Sequence, residues 1–326
     1  MSAHSEIAPF IVPGYNEVVI ADNLIAATGR EFCDTQEQTA DAFSNKWSRF
    51  DYEADGFERR VQRQKAWYLK LYGFESEAGL KEYLSGCRFI LDAGAGLGYK
   101  AAWFAELCPD AIVVAADISA SVVNASKQYR HLPNLLFLRC DIGNLDMFAD
   151  DVFDYVSCDQ VIQHTADPHA TFRELVRVTK PRRDASVYVY RKKALPRELL
   201  DEYFRDACKQ YSHEELMELS RQITELGKVL SAVDQEVEIP DIPAFGIEGG
   251  KMTVQRFLYW NFMKCFWNEE LGEENSLMTN YDWYSPSQAF RYSEEEFRGW
   301  IEEAGMDIVH FHKEKACYSG RFKKVE

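Results

Sequence analysis

The sequence predicts an α/β fold: a parallel sheet covered by helices on both faces, with helices before it and a long insertion inside it. Between Cys87 and Lys193, short apolar runs alternate with amphipathic segments, as they do where crossover helices join parallel strands. A glycine-rich turn, DAGAGLGY, follows the first apolar run. After Lys193 helical periodicity replaces the alternation. We therefore divide the chain into four segments: 1–86, 87–193, 194–290 and 291–326.

The first segment is expected to be irregular up to residue 35, apart from a short strand near Glu17–Ile20, and helical afterwards. Phe43, Trp47 and Phe50 repeat on one face of a helix, and the apolar period continues towards Gly86. Two or three helices should therefore pack ahead of the main domain.

Five apolar runs predict the strands of the second segment: CRFILDAG, AIVVAAD, LLFLRCD, FDYVSCD and ASVYVYR. Helical patterns separate them at Tyr99–Cys108, Ala120–Leu132 and Pro168–Thr179. This order of strands and helices is typical of a doubly wound sheet.

The last two segments contain further helix signals. Ser212 with Glu215, and Ser293 with Glu296, have the spacing of capping boxes at helix N-termini. Gly305 is predicted to end the last helix, and residues 306–325 to form a closing hairpin of two strands.

The stretch Thr253–Leu271 is predicted to be one helix that is apolar on nearly every side. Such a helix is buried, lines a ligand cavity or makes a subunit contact. A homodimer is therefore one assembly that the sequence allows.

Composition excludes several classes of partner. A net charge of −16 argues against nucleic acid, because affinity for a phosphate backbone comes from clustered Lys and Arg. The eight cysteines are scattered without a CxxC pair, which favours reduced thiols in a cytoplasmic protein and no metal site. Neither a signal peptide nor a membrane span is expected, because the N-terminus lacks a basic start and no apolar run is long enough.

The glycine-rich turn predicts a nucleotide site. Gly94, Gly96 and Gly98 let the backbone approach a ligand, and the following helix offers unpaired N–H groups. Two cofactors remain open, because Gly96-x-Gly98-x-x-Ala101 also satisfies a degenerate dinucleotide fingerprint.

Acidic residues at three successive strand ends favour a nucleoside that carries positive charge. Asp92 precedes the glycines, where a carboxylate would meet a cation. Asp117 is placed to accept hydrogen bonds from ribose hydroxyls, and Asp141 with Ile142 to contact an exocyclic amine and flank a purine. Three carboxylates would repel a pyrophosphate, although each could alternatively cap the following helix.

The segments DAGAGLGY, AADIS, CDI and FDYVSCDQVIQHTADP, followed by a helix and VTKP, resemble successive motifs of class I S-adenosylmethionine-dependent methyltransferases. The resemblance covers Cys87–Arg191 and, more loosely, the terminal EEFRGWIEEAGMDIVHF. It implies a mostly parallel seven-stranded sheet with a reversed last strand and the cofactor across the carboxyl ends of the first strands. One departure is Pro181-Arg-Arg-Asp184, which replaces the usual Gly-Gly before the fifth strand.

The resemblance also assigns cofactor-binding residues. It implies that Asp92 and the three glycines face the methionine portion of the cofactor and that Gln160 lies near the sulfonium. It also implies that Asp117 and the neighbouring Ile118 contact the ribose, and that Asp141 and Ile142 contact the adenine. The Trp47–Phe50 segment is a further candidate to close over the cofactor.

The residues that bind the methyl acceptor are less clearly indicated by the sequence than those that bind the cofactor. Cys158-Asp159-Gln160-Val161 lacks the Asn/Asp-Pro-Pro-aromatic motif of enzymes that methylate nucleobase amines. His164 follows the fourth strand, and either a general base or a hydrogen-bonding residue at the start of a helix suits that position. Tyr259, Trp283 and Tyr284 belong to the insertion, where relatives carry a substrate lid, and suit an apolar small-molecule pocket.

The sequence therefore predicts methyl transfer from S-adenosylmethionine to a small organic acceptor held under an aromatic-rich helical lid, with no metal. The acceptor atom, O, N, S or C, is left open. The alternatives are a nicotinamide-dependent oxidoreductase, a non-catalytic nucleoside-binding partner protein, and a protein or RNA methyltransferase.

Overall fold

The computed structural model describes residues 3–7, 18–21, 23–27, 34–50, 52, 55–233 and 235–326. The chain divides into two compact units, one of Met1–Arg191 with Phe290–Glu326 and one of Lys192–Ala289. Helices and strands are numbered in chain order through both units.

The first unit is built around one sheet. Its strands are β1 Val18–Ala21, β2 Leu24–Ala27, β3 Phe89–Ala93, β4 Ile112–Asp117, β5 Leu135–Arg139, β6 Phe153–Cys158, β7 Thr179–Arg191, β10 Arg291–Tyr292, β11 Met306–Lys313 and β12 Cys317–Lys324. Its helices are α1 Ala3–Ile7, α2 Asp34–Ser48, α3 Asp55–Tyr72, α4 Glu77–Ser85, α5 Tyr99–Leu107, α6 Ser121–Gln128, α7 Pro168–Val178 and α12 Glu294–Glu303. A short 3-10 turn covers Ile162–His164.

The strand order is β1-β2-β5-β4-β3-β6-β7-β12-β11, and β10 pairs with β7. β5, β4, β3, β6 and β7 are parallel to one another, which confirms the mostly parallel α/β sheet. The last strand, β12, is antiparallel to β7. In the described residues the sheet has ten strands rather than the predicted seven, because the β1–β2 hairpin extends the β5 edge and β10 adds a two-residue pairing.

The alternation of side chains along the central strands explains the two layers of helices. β3 is buried over its whole length. Phe89 and Leu91 contribute to a core with α7 and α12, whereas Ile90 contributes to a second core with α3, α4 and α5. Apolar side chains on both faces are what a parallel sheet covered by helices requires.

The second unit is mostly helical. It comprises α8 Leu195–Cys208, α9 His213–Ser231, α10 Val254–Asn261, α11 Gly272–Tyr284 and a hairpin of β8 Glu236–Ile239 with β9 Gly250–Thr253. The predicted capping box is present at α9, where Ser212 and Glu215 bond each other's backbone, and a second one is present at α12 of the first unit.

The predicted helix Thr253–Leu271 is wrong in its second half. α10 ends at Asn261, whose side-chain amide donates to the Phe257 carbonyl (3.0 Å). The Phe266 backbone then pairs with the Asn280 amide: its N–H donates to Oδ1 (2.8 Å), and Nδ2 donates to its carbonyl (3.0 Å). These bonds replace helical ones, so apolar composition alone overestimated the helix.

Candidate functional site

The three acidic residues predicted from the sequence, and a fourth that was not predicted, Asp159, follow or end neighbouring strands at one edge of the sheet. Asp92 and Asp117 belong to the carboxyl ends of β3 and β4, Asp141 follows β5, and Asp159 follows β6. The carboxyl ends of neighbouring parallel strands meet at the same edge, which is where ligands bind in open α/β sheets.

The glycine turn crosses this edge in a conformation that glycine favours. Gly94, Gly96 and Gly98 have φ values of 82°, 53° and 77°. The N–H groups of Gly94 and Ala95 donate to the Ala116 carbonyl at 2.7 and 2.9 Å, which anchors the turn to β4. A Cβ at position 94 would lie 2.2 Å from Val161, so this position has no room for a side chain.

Asp117 holds the glycine turn from the next strand. Its Oδ2 accepts from the Gly96 N–H at 2.8 Å, and its Oδ1 accepts from the Ser119 N–H and hydroxyl at 2.8 and 2.6 Å. Ser121 Oγ donates to the Gly96 carbonyl at 2.9 Å. Asp117 therefore orders the turn, and its Oδ2 retains capacity to accept a further hydrogen bond.

A buried lysine, which the sequence analysis did not single out, links two of the acids. Lys100 Nζ lies 3.2 Å from Asp92 Oδ1 and 3.4 Å from Asp159 Oδ2. Asp92 is completely buried and Lys100 is 8% exposed. Only the contact with Asp159 has hydrogen-bond geometry; neither Asp92 oxygen receives a hydrogen bond from the described residues, so its contact with Lys100 is an ion pair.

Burial dominates the electrostatics of this group. It raises the pKa of Asp92 to about 6, with Lys100 opposing the rise and Asp159 and Asp117 adding to it. Burial lowers the pKa of Lys100, but the two neighbouring carboxylates outweigh it, so the pKa is raised and the ammonium stays charged. Tyr72 donates its hydroxyl to Asp159 Oδ1 at 2.7 Å.

The residues predicted to contact adenine lie after β5. Asp141 Oδ1 accepts from the Gly143 N–H at 2.8 Å, and burial raises the pKa of its carboxyl. Ile142 is buried, and Ile118, after β4, is half-buried. The Cys140 N–H donates to the Asp117 carbonyl at 3.0 Å, which joins the chain just before Asp141 to the end of β4.

Gln160 turns the chain after β6. It has a positive φ of 65°, which is uncommon for a residue other than glycine. Its side-chain amide donates to Asp159 Oδ2 and to Gln64 Oε1, both at 3.3 Å. The strained turn and the two acceptors place Gln160 beside the Lys100 group, and its predicted contact with the sulfonium stays a prediction.

His164 is buried among aromatic rings. Its ring packs edge-on to Phe43 at 5.1 Å and to Tyr190 at 5.6 Å. Gln36 Nε2 donates to the His164 carbonyl at 3.2 Å. At 3% exposure His164 is nearly fully buried, and its role as a base stays a prediction.

Helix α2 spans from the glycine turn to His164. The Trp47 ring packs against Gly96, where a Cβ would approach it to 3.1 Å, while Phe43 packs against His164. Ser44 Oγ accepts from the Ala120 N–H at 2.9 Å. The predicted cover segment thus lies at the glycine turn. Within it, the Arg49 side chain donates to Asn45 of the same helix.

The three predicted acceptor residues lie within the second unit. Tyr259, Trp283 and Tyr284 are nearly fully buried there. The Arg197 guanidinium carbon lies 5.4 Å from the Tyr259 ring centroid and 5.1 Å from that of Trp283. Their contact with an acceptor stays a prediction.

Comparison with known proteins identifies part of the first unit. Residues 91–183 match the family described as methyltransferase domain. These residues are therefore a methyltransferase domain, in agreement with the resemblance to class I S-adenosylmethionine-dependent methyltransferases. S-adenosylmethionine is accordingly its cofactor. Over 139 residues the chain is 28% identical to an uncharacterized methyltransferase of Schizosaccharomyces pombe; the match covers 40% of this chain and 49% of that relative, about half of its length.

Solved structures resemble the chain at low identity. The YcgJ protein from Bacillus subtilis is 18% identical, with a TM-score of 0.40 over 72% of this chain and 71% of its own. A 1,6-didemethyltoxoflavin-N1-methyltransferase of Burkholderia thailandensis, solved with 1,6-didemethyltoxoflavin and S-adenosylhomocysteine, is 10% identical, with a TM-score of 0.43 over 92% and 94%. PKMT2 from Rickettsia typhi, solved with AdoHcy, is 15% identical, with a TM-score of 0.44 over 70% and 40%.

The residues of the methyltransferase domain fit its cofactor. Asp92 Oδ2, buried without a hydrogen-bond donor among the described residues, suits a ligand cation, and Asp117 Oδ2 retains capacity to accept from a ligand hydroxyl. Within the described part of the chain, no group of three or more His, Cys, Asp or Glu side chains is placed to hold a metal ion. None of the described helices combines the length and apolar character that a membrane span needs.

Proposed function

We propose that the chain transfers a methyl group from S-adenosylmethionine to a small organic acceptor. The observation that carries this proposal is the set of acids beside a glycine turn: two buried ones at the carboxyl ends of β3 and β4, and a half-buried one after β5. Such a set suits a cationic nucleoside and disfavours the pyrophosphate of a dinucleotide.

Each part of the strand edge has a distinct task in this proposal. Asp92 binds the ammonium of the methionine portion, Asp117 the ribose hydroxyls, and Asp141 with Ile142 the adenine. The bound cofactor supplies an already activated methyl group, so the protein's contribution is alignment of the acceptor and exclusion of water. Trp47 and Phe43 of α2 exclude water at the glycine turn and at His164.

His164 is the proposed base or orienting group for the acceptor. It is the histidine that follows the β6 strand end, and its ring is fixed by Phe43 and Tyr190. A neutral imidazole can take a proton from an acceptor O–H, N–H or S–H as the methyl group is transferred. An acceptor that is already a free nucleophile would need only the orientation.

The second unit is proposed to determine which acceptor is methylated. It contributes an aromatic-rich sequence, including Tyr259, Trp283 and Tyr284, that is separate from the methyltransferase domain. Aromatic side chains supply large apolar area with a polar tip, which suits small organic molecules. A conservative change such as Trp283→Phe is expected to alter KM for the acceptor more than cofactor affinity.

The first experiment is isothermal calorimetry of the purified chain with S-adenosylmethionine, S-adenosylhomocysteine and, as control, NADH. Micromolar binding of the two sulfur nucleosides, without NADH binding, supports the proposal. Binding of NADH alone would overturn it in favour of an oxidoreductase. Cofactor binding without S-adenosylhomocysteine release on any acceptor from a broad panel would favour a non-catalytic partner protein.

A further inference from the structure

Lys100 occupies an unusual position for a charged side chain. It lies in the first turn of α5, among alanine and aromatic residues, and the residue is only 8% exposed. An isolated buried ammonium is costly, so it must be compensated by opposite charge. Both of its carboxylate partners belong to the ligand-binding edge of the sheet, Asp92 from β3 and Asp159 from the end of β6.

The charges in this group do not balance. One ammonium faces two buried carboxylates, so the group carries a net negative charge when all three are ionised. Two carboxylates in a buried site cannot both stay ionised without a cation between them. Lys100 therefore keeps the pair charged, yet it leaves Asp92 Oδ2 without a hydrogen-bond donor among the described residues.

We propose that Lys100 is a positioning residue of the cofactor site, which holds Asp92 and Asp159 together in their charged forms so that Asp92 can receive the ammonium group of S-adenosylmethionine at neutral pH. This inference rests on the proposed function, in which Asp92 faces the methionine portion. Lys100 acts through Asp92 and needs no contact with the cofactor itself.

The titratable groups around the cluster of Asp92, Lys100 and Asp159 come from several packed elements. They are Lys100 and Tyr99 on α5, Asp117 on β4, Cys158 and Asp159 at the end of β6, and Tyr68 and Tyr72 on α3. The tyrosine and cysteine pKa values are all raised by burial, so these groups stay neutral at physiological pH. Lys100 is thus the cation of the group, and its loss leaves the carboxylates uncompensated.

The test is the affinity for S-adenosylhomocysteine, measured by calorimetry between pH 5.5 and 8.5, for the wild type, Lys100→Met and Asp159→Asn. In the wild type the affinity should fall about tenfold per pH unit below about pH 6, as Asp92 takes up a proton. In Lys100→Met the midpoint should move upward by about one to two pH units, so that binding at pH 7 is about two- to tenfold weaker and recovers at higher pH.

Asp159→Asn provides a variant with the opposite expectation. It removes the carboxylate that repels Asp92, and Lys100 then pairs with Asp92 alone. The midpoint of the pH dependence of binding should therefore move downward. This variant keeps the proposal testable if Lys100→Met does not fold. The exposed Lys81→Met, on α4, removes the same charge elsewhere and should leave the midpoint unchanged.

A second ligand separates positioning from general loss of structure. 5′-Methylthioadenosine shares the nucleoside and the thioether but has no ammonium, so its affinity should be the same in Lys100→Met and wild type. Equal weakening of both ligands at every pH, or midpoints of both variants that match the wild type, would overturn the inference while leaving the proposed function intact. A wild type that binds neither S-adenosylmethionine nor S-adenosylhomocysteine would overturn both.

Discussion

In each unit of the chain a buried cation lies beside a buried carboxylate, and the two arrangements differ. In the second unit Arg197 is 1% exposed, pairs with Asp201, donates to the Tyr259 carbonyl, and lies beside the rings of Tyr259 and Trp283. In the first unit Lys100 lies beside two carboxylates and one tyrosine ring, and Asp92 Oδ2 at the ligand edge has no hydrogen-bond donor among the described residues. The Arg197 pair therefore stabilises a core, whereas Lys100 compensates the charge of two carboxylates at the ligand edge of the sheet.

The largest effect is expected from Arg197→Met. Removal of the guanidinium leaves Asp201 buried without its partner, and breaking a buried ion pair in this way costs about 3–5 kcal/mol. Urea denaturation of the purified chain measures the loss of unfolding free energy. Arg221→Met, which breaks an exposed pair with Glu218, is the matched control and should cost less than about 1 kcal/mol. Equal losses in both variants would remove the distinction between core and surface.

The double variant Arg197→Met/Asp201→Leu sharpens the same point. If Arg197 serves packing and charge compensation alone, removing both charges together should recover much of the stability that the single change loses. A double variant no more stable than Arg197→Met would show that the guanidinium's bond to the Tyr259 carbonyl and its aromatic contacts carry the stability instead.

Asp92→Asn tests the carboxylate that pairs with Lys100 in the first unit. The pKa of Asp92 is about 6 in the folded chain, above the usual 3.8, so the folded chain keeps this proton to a higher pH than the unfolded chain does. The contribution of Asp92 to unfolding free energy is therefore present below pH 4 and falls by about 3 kcal/mol as the pH rises past 6. The unfolding free energy of Asp92→Asn, relative to that of the wild type, should therefore rise by about 3 kcal/mol between pH 4 and pH 7. Parallel pH profiles in urea denaturation would contradict the shift.

Asp117→Ala extends the comparison from stability to ligand binding. Loss of its carboxylate removes the predicted ribose contact and the bond to the Gly96 N–H, so cofactor affinity should weaken by about 1–3 kcal/mol. Calorimetry with S-adenosylhomocysteine measures the change, and Arg221→Met in the second unit should bind as the wild type does. An unchanged affinity would remove the ribose assignment.

The smallest expected effect is that of His164→Ala, which should lower kcat by about tenfold, or 1.4 kcal/mol, with little change in cofactor affinity. The matched control is His169, the second residue of α7, whose ring stacks on Trp300. Its replacement by alanine should leave kcat unchanged. Once an acceptor is known, steady-state kinetics decide the question. Equal activity of both variants would leave His164 a structural role.

Local signals in the sequence were sufficient for much of the fold. The runs that became β3 to β7 are apolar because both faces of those strands are covered, and the capping boxes at Ser212 and Ser293 involve residues three apart. Long-range partners were not visible. The break after Asn261 depends on Asn280, and the meaning of Lys100 depends on Asp159, a residue 59 positions away. A lysine in an otherwise apolar helix beside a glycine turn was the available signal.

One further consequence comes from the small strand β10. Its Arg291 and Tyr292 pair with Tyr190 and Arg191 of β7, so the chain leaves the first unit and returns to it at neighbouring residues. When the two ends of an insertion are already held together, lengthening the insertion adds little loop-closure entropy. The segment 192–289 can therefore be exchanged or enlarged between related chains while the sheet that holds the cofactor stays the same, so new acceptors are accessible to this architecture through a single point of insertion.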